Sequence, residues 1–165
     1  MNKYLPSENI ILKTKLNKEQ AISKLNENIE AEKSFGFGAH NHNYSKPYIG
    51  QINGNSFEVK RAISYRNSFL PIIKGEVLSE SDSIKVSLNM KPHSFVVAFM
   101  ALWLSGAAFG CIVSTFALFT QEFTPFFLIP FGMLIFGIAL ILVAFKAESA
   151  ISKKDFVKIL EAEIE

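Results

Sequence analysis

The chain has 165 residues, 17 Lys and Arg against 15 Asp and Glu, 49 % hydrophobic residues and one cysteine. A formal charge of +2 with no concentrated basic stripe argues against nucleic-acid binding. A single Cys excludes an intrachain disulfide and with it a stapled secreted scaffold.

The N-terminal stretch MNKYLPSENIILKTKL is not expected to act as a signal peptide, because Ile10-Ile11-Leu12 is too short for a hydrophobic core region. From Glu8 to Leu16 the residues Ile10, Leu12, Thr14 and Leu16 alternate against Ile11, Lys13 and Lys15, which predicts a half-buried strand. Asn17 then stands as an N-cap, with Gln20 at the capping-box position. Ala21, Ile22, Leu25 and Ile29 repeat at helical spacing and predict a helix over about 18–30. Residues 31–46 show no period and read as a long loop containing His40 and His42.

Asn53-Gly54 is a hairpin signal joining a strand over 48–52 to one over 57–63. In the latter, Phe57, Val59, Arg61 and Ile63 share a face, so Arg61 either lies on an open face or pairs with something there. A second hairpin joins 70–78 to 84–90 around residues 79–83, with Pro71 at a strand start. The expected fold is a small α+β domain over 1–91, made of a strand, a helix and a four-stranded antiparallel meander.

Pro92 to Gln121 is then uncharged for 30 residues, and after Glu122 the chain is uncharged again from Phe123 to Phe145. A bilayer span needs about 20 apolar residues, so 92–146 is expected to be a transmembrane helical hairpin with spans at 94–119 and 126–145. Pro125 suits the first turn of the second helix. Trp103 lies near mid-span, where it is expected to pack on protein. Residues 147–165 read as a short amphipathic C-terminal helix with Phe156, Val157, Leu160 and Ile164 on one face. It would pack on the soluble domain or lie on the membrane surface; the acids among its last residues favour the domain. The turn between the spans has no Lys or Arg, whereas Lys85, Lys91, Lys146, Lys153, Lys154 and Lys158 flank the hairpin. The positive-inside rule therefore places both termini in the cytoplasm and the chain in a cell inner membrane as a multi-pass protein.

Neither span holds a charge, which disfavours a pump or ion-coupled transporter. Gly106 and Gly110 form a GxxxG motif extended by Ser114. It is expected to pack span one on span two against Gly132 and Gly137, with a homodimer or a partner helix as the alternative. Lys60, Arg66, Lys74, Lys85 and Lys91 are candidate lipid-headgroup contacts, weighed against plain outward sheet positions. His40 and His42 lack further ligands for a metal site and read as solvated loop. His93 marks the start of span one, and Glu76, Glu80 and Asp82 read as hairpin acids. No nucleophile–base pair, Walker loop or dinucleotide fingerprint occurs, and no cofactor or metal is expected.

Tyr65–Gly75, YRNSFLPIIKG, preceded by IGQINGNSFEVKRAIS, resembles a segment of small bacterial two-pass membrane proteins of unassigned function. The resemblance covers about 48–104 and implies no activity and no functional residue. The residues thus favour a non-enzymatic, membrane-anchored binding or scaffold module for a protein or lipid headgroup. An accessory subunit of a transporter or channel complex is the alternative, and a membrane enzyme comes third. The expected partners are the lipid bilayer and a protein partner or homodimer through span one.

Overall fold

The computed structural model describes residues 7–31, 44–65, 67–80, 83–120 and 122–165. His40, His42, Arg66 and Asp82 lie outside them. Seven strands form one mixed sheet: β1 (Glu8–Thr14), β2 (Ile29–Ala31), β3 (Tyr48–Asn53), β4 (Ser56–Arg61), β5 (Ile72–Glu80), β6 (Ser83–Lys91) and β7 (Ala162–Ile164), in the order β2-β3-β4-β5-β6-β1-β7. The expected meander β3-β4-β5-β6 is thus only the middle of a larger sheet. β1 pairs antiparallel with β6, β2 lies parallel to β3, and β7 closes the other edge on β1.

Local signals act as expected where partners are close in sequence. Helix α1 (Lys18–Asn28) begins on a full capping box: Gln20 N donates to Asn17 Oδ1 at 2.8 Å, and Asn17 N donates to Gln20 Oε1 at 3.0 Å. It stops two residues short of the expected end because Ile29 turns extended and enters β2. The β3–β4 loop is Gly54-Asn55 rather than Asn53-Gly54, since Asn53 pairs with Ser56. Gly54 takes φ +60° at the first loop position, as a type II′ turn requires.

Helix α2 (Ser94–Thr120) leaves the sheet three residues after β6. A 3-10 turn at Pro125–Leu128 then leads into α3 (Ile129–Ile159). Both helices are long and apolar enough to cross a membrane. Many of their apolar side chains face outward: Phe95 is 72 % exposed, Phe119 83 %, Ile135 70 % and Phe136 63 %. A soluble protein does not leave such a continuous apolar surface bare.

The helix that carries the second apolar segment does not end with that segment at Phe145. Helix α3 runs unbroken for 31 residues, about 45 Å at 1.5 Å per residue. Its last 14 residues leave the apolar segment and lie on the sheet, where a separate short helix was expected. Phe145, Phe156 and Leu160 enter the same core as Leu12, Leu25, Tyr48, Phe57, Ile73, Val86 and Met90. Phe156 is fully buried, its ring 4.9 Å from Tyr48 and stacked 5.7 Å from Phe57. Glu161, at φ +48°, reverses the chain into β7, and Thr14 Oγ1 donates to Leu160 O at 2.6 Å. The core is therefore assembled from both sides of the helical hairpin.

Gly50 is required in β3. Its φ is +155°, and an added Cβ would stand 2.1 Å from Glu58 O and 2.7 Å from Val59 Cα. Both are backbone atoms of the paired strand and cannot swing away. Gly50→Ala is expected to destabilise the protein by about 3 kcal/mol, combining strain and overpacking. Thermal unfolding in detergent checks this; an unchanged midpoint would refute the β3–β4 register.

Candidate functional site at the stem of the sheet

The end of the sheet from which α2 leaves gathers the start of β3, the end of β4, the start of β5 and the end of β6. Tyr48 pairs with Arg61, and Ile72 with Lys91. We call this the stem end. The described residues 62–65 and 67–71 lie at this end.

Arg61 follows Phe57 and Val59 on the inward face of β4, so its charge points at the core side. Its partner is Glu148, 5 % exposed, on the part of α3 just beyond the apolar segment. Arg61 Nη1 donates to Glu148 Oε2. Glu148 Oε1 accepts from Tyr65 Oη at 2.9 Å and from Asn67 Nδ2 at 2.8 Å. Three donors thus satisfy a buried carboxylate, as burial of a charge demands. The hydrogen bond to Glu148 holds the Tyr65 phenol above its usual pKa, keeping it a donor. Two turns further along α3, Asp155 reaches Tyr48, whose hydroxyl donates to Asp155 Oδ2 at 3.0 Å. Burial, then the Asp155 charge, pushes the Tyr48 phenol far up.

Asn67 carries this order into the 67–70 segment. Its Oδ1 accepts from Phe69 N at 3.0 Å and its carbonyl from Leu70 N at 3.3 Å. Two grooves share that segment as a rim. One is apolar, about 400 Å³, between the domain-side halves of α2 and α3; Phe69, Pro92, Val97, Ala101, Leu104 and Ile141 are among its walls. The other is polar, about 360 Å³, with Lys60, Arg61, Tyr65, Asn67, Ser68 and His93 among its walls. Residue 69 faces one groove and residues 68 and 70 the other; Pro92 and His93 divide in the same way.

The structure separates the candidate residues. Lys60 lines the polar groove and Lys91 sits exposed at the stem end. Lys74 is exposed and paired with Glu58 at 2.9 Å, an exposed ion pair of little energetic weight. Lys85 lies six residues up β6 from Lys91, about 20 Å away at a strand's rise, and pairs with Glu165 at 3.1 Å. That position sets it apart from Lys60 and Lys91. Of the glycines, Gly110 packs on Pro130 and Gly137 on Leu104 and Trp103. Ser114 is buried with Ala107 and Cys111 on the same helix. A Cβ on Gly106 or Gly132 meets nothing within 4 Å, so neither brings the two helices together. Among the described residues, no group of three or more His, Cys, Asp or Glu could hold a metal ion.

Glu148 was not singled out in the sequence, although a signal exists. It shares a helical face with Phe145, Ser149, Ser152 and Phe156, all buried, and Arg61 is the one charge on an apolar strand face. Opposite charges misplaced on two apolar faces are a pairing signal. Comparison with protein-family models, curated proteins and solved structures finds no match to the chain.

Proposed function

We propose that the chain is a two-span protein of a bacterial inner membrane, with both termini cytoplasmic, acting as a non-enzymatic membrane-anchored binding module. The observation that carries this reading is the continuity of α3, which passes from its outward apolar surface directly into the core of the sheet domain. A helix without a joint fixes the stem end at the membrane surface, so the grooves there meet lipid headgroups and membrane-bound partners. The Lys-free turn at Glu122–Thr124 and the lysines at the domain side support the orientation. With Cys111 replaced by Ser, a cysteine at Glu122 is expected to react with an impermeant maleimide from the periplasmic side of intact cells. A cysteine at Lys154 should stay protected. The reverse pattern would overturn the topology. For binding, a photo-crosslinking residue at Ser68 should capture a ligand in cells that one at Glu19 does not; equal yields would refute the stem end as the binding surface.

A second reading, an accessory subunit of a transporter or channel, has one observation in its favour. Gly106 and Gly132 present small open sites on the outward helix surfaces, where a foreign helix could approach closely. Gly106→Leu should then abolish co-purification of a membrane partner while leaving thermal stability unchanged. Gly110→Leu should lower stability instead, because its Cβ already meets Pro130 at 3.0 Å. If Gly106→Leu lowers stability as much as Gly110→Leu, Gly106 belongs to the hairpin contact and this reading loses its support.

A further inference from the structure

We propose that the outward face of α3 beyond Phe145 rests on the anionic lipid surface of the domain-side leaflet, so that the sheet domain leans on the membrane along this face. The proposal rests on the membrane-anchored reading above and adds a second contact between the domain and the bilayer.

Ala147, Ala150, Ile151, Lys154 and Lys158 recur at i, i+3, i+4, i+7 and i+11, so they share one face of α3, and all five are exposed. Phe145, Ser149, Ser152 and Phe156 are buried on the opposite face, against the sheet. The outward face holds no carboxylate, and exposed Lys146 stands at its membrane end. Among the described residues, none of the Lys146, Lys154 and Lys158 side chains forms an ion pair. Small and apolar side chains next to uncompensated lysines are the composition of a helix face that lies on anionic lipid. This face continues, on one unbroken helix, the apolar surface that enters the bilayer.

The length of the hairpin brings the face down to the lipid. Gly110 packs on Pro130 and Gly137 on Leu104 and Trp103, a register that sets Phe95 level with Phe145. From there to Phe119 the outward surface of α2 is apolar for about 36 Å at 1.5 Å per residue. Phe95 and Phe119, at its two ends, are both strongly exposed. A hydrocarbon core of about 30 Å covers both only if the hairpin tilts, by roughly 35°. Because α3 has no joint, the domain tilts with it. Lys154 lies about 12 Å along the axis from Lys146. At that tilt its ammonium comes within about 6 Å of the hydrocarbon boundary, inside the headgroup layer. Lys158, one turn on, stands within a Debye length of the headgroups, about 8 Å.

The direction of the lean follows from charge. At the stem end of α1, exposed Glu27 lies near Lys46, which donates to Asn26 O and Ile29 O, so opposite charges cancel there. Toward β1, Lys153 is paired with Glu8. On the outer sheet face Lys91 stands singly. The outward face of α3 brings three lysines.

The test uses the full chain with Cys111→Ser and a single labelling site, Ala150→Cys or Gln51→Cys. Ala150 lies about 8 Å along α3 from Phe145, and Gln51, exposed on the outer sheet face, about 10 Å along β3 from Tyr48. Each cysteine carries a bimane, and the chain sits in nanodiscs containing a lipid with a nitroxide on its headgroup. Carbonate extraction of cell membranes comes first. A chain that washes off refutes the membrane-anchored reading itself, whereas failure at the quenching step alone refutes only this inference. In equal phosphatidylglycerol and phosphatidylcholine, quenching at position 150 is expected to exceed that at 51 about fivefold, the preference that even one lysine gives to an anionic surface. In phosphatidylcholine alone the excess should fall by more than half. The double variant Lys154→Gln with Lys158→Gln should lose the dependence on phosphatidylglycerol while its thermal midpoint stays unchanged, since both side chains are exposed and unpaired. Equal quenching at the two positions, quenching at 150 that ignores phosphatidylglycerol, or a double variant that behaves as wild type would each overturn the proposal. The second of these results would leave an acidic protein as the occupant of the face.

Discussion

Replacing Phe156 by alanine is expected to destabilise the sheet domain by about 3–5 kcal/mol, the range for deleting a buried aromatic side chain. Phe156 is fully buried, contacts the rings of Tyr48 and Phe57, and lies on the far side of the helical hairpin from both. The residues around it come from separate elements, β3, β4 and α3, so the void cannot close by moving one chain segment. A domain of this size has about 5–15 kcal/mol to lose in total. The variant should therefore show a large drop in the midpoint of domain unfolding, read by near-ultraviolet circular dichroism in detergent. A variant as stable as wild type would mean that residues 147–159 are peripheral to the core. Phe156→Leu, which keeps most of the volume, should recover much of the loss.

Glu148→Ala is expected to cost about 3 kcal/mol. Removing one member of a buried ion pair leaves the other uncompensated, which typically costs about 3–5 kcal/mol. The lower end applies because the Arg61 side chain keeps 19 % of its exposure and can reach solvent in part. Tyr65 and Asn67 lose their common acceptor as well. The double variant Arg61→Met with Glu148→Leu should recover most of that stability, since a well-packed apolar pair can replace a buried ion pair. Non-additivity between the single and double variants is the measurement: an additive cycle would show that Arg61 and Glu148 do not interact. The same double variant should loosen the 67–70 segment, because Asn67 no longer has Glu148 to bind.

These two sites show where sequence reading succeeds and where it stops. The capping box at Asn17 and Gln20, the inward alternation of Leu12 and Thr14, and the β3–β4 hairpin are local, with cause and effect within a few residues. The apolar character of 94–120 and 129–145 is likewise written in composition. Strand partnership is not. The period of two in β1 says that Leu12 faces a core, but nothing in it says that Leu12 sits opposite Val86 or that β7 arrives to pair from 150 residues away. The four-stranded meander was the set of pairings that turns alone could specify; β1, β2 and β7 join through contacts between distant segments.

The end of span two illustrates a different failure. At Lys146 the chain changes from wholly apolar to amphipathic, which reads as a boundary between two helices. The backbone has no reason to break there: no Gly or Pro occurs from Ile138 to Ile159. The change at Lys146 marks a change of surroundings, from an outward apolar surface to a sheet, along one helix. For the candidate lysines of the sheet, β alternation states which side of the sheet each takes, and no more than that. Lys85 lies far from the stem end because distance along a strand, rather than side, sets that separation. Glu148 was missed because its role depends on Arg61, 87 positions earlier.

Helix α3 is one helix that closes the domain core from the far side of the hairpin. Hydrogen exchange of the full chain in nanodiscs tests it most directly. Amides of residues 147–158 are expected to exchange as slowly as those of β5 and β6, because they would open only with the domain. Fast exchange across 147–158 while β5 and β6 stay protected would place a break at Lys146 and leave the sheet closed without this segment, contradicting the account.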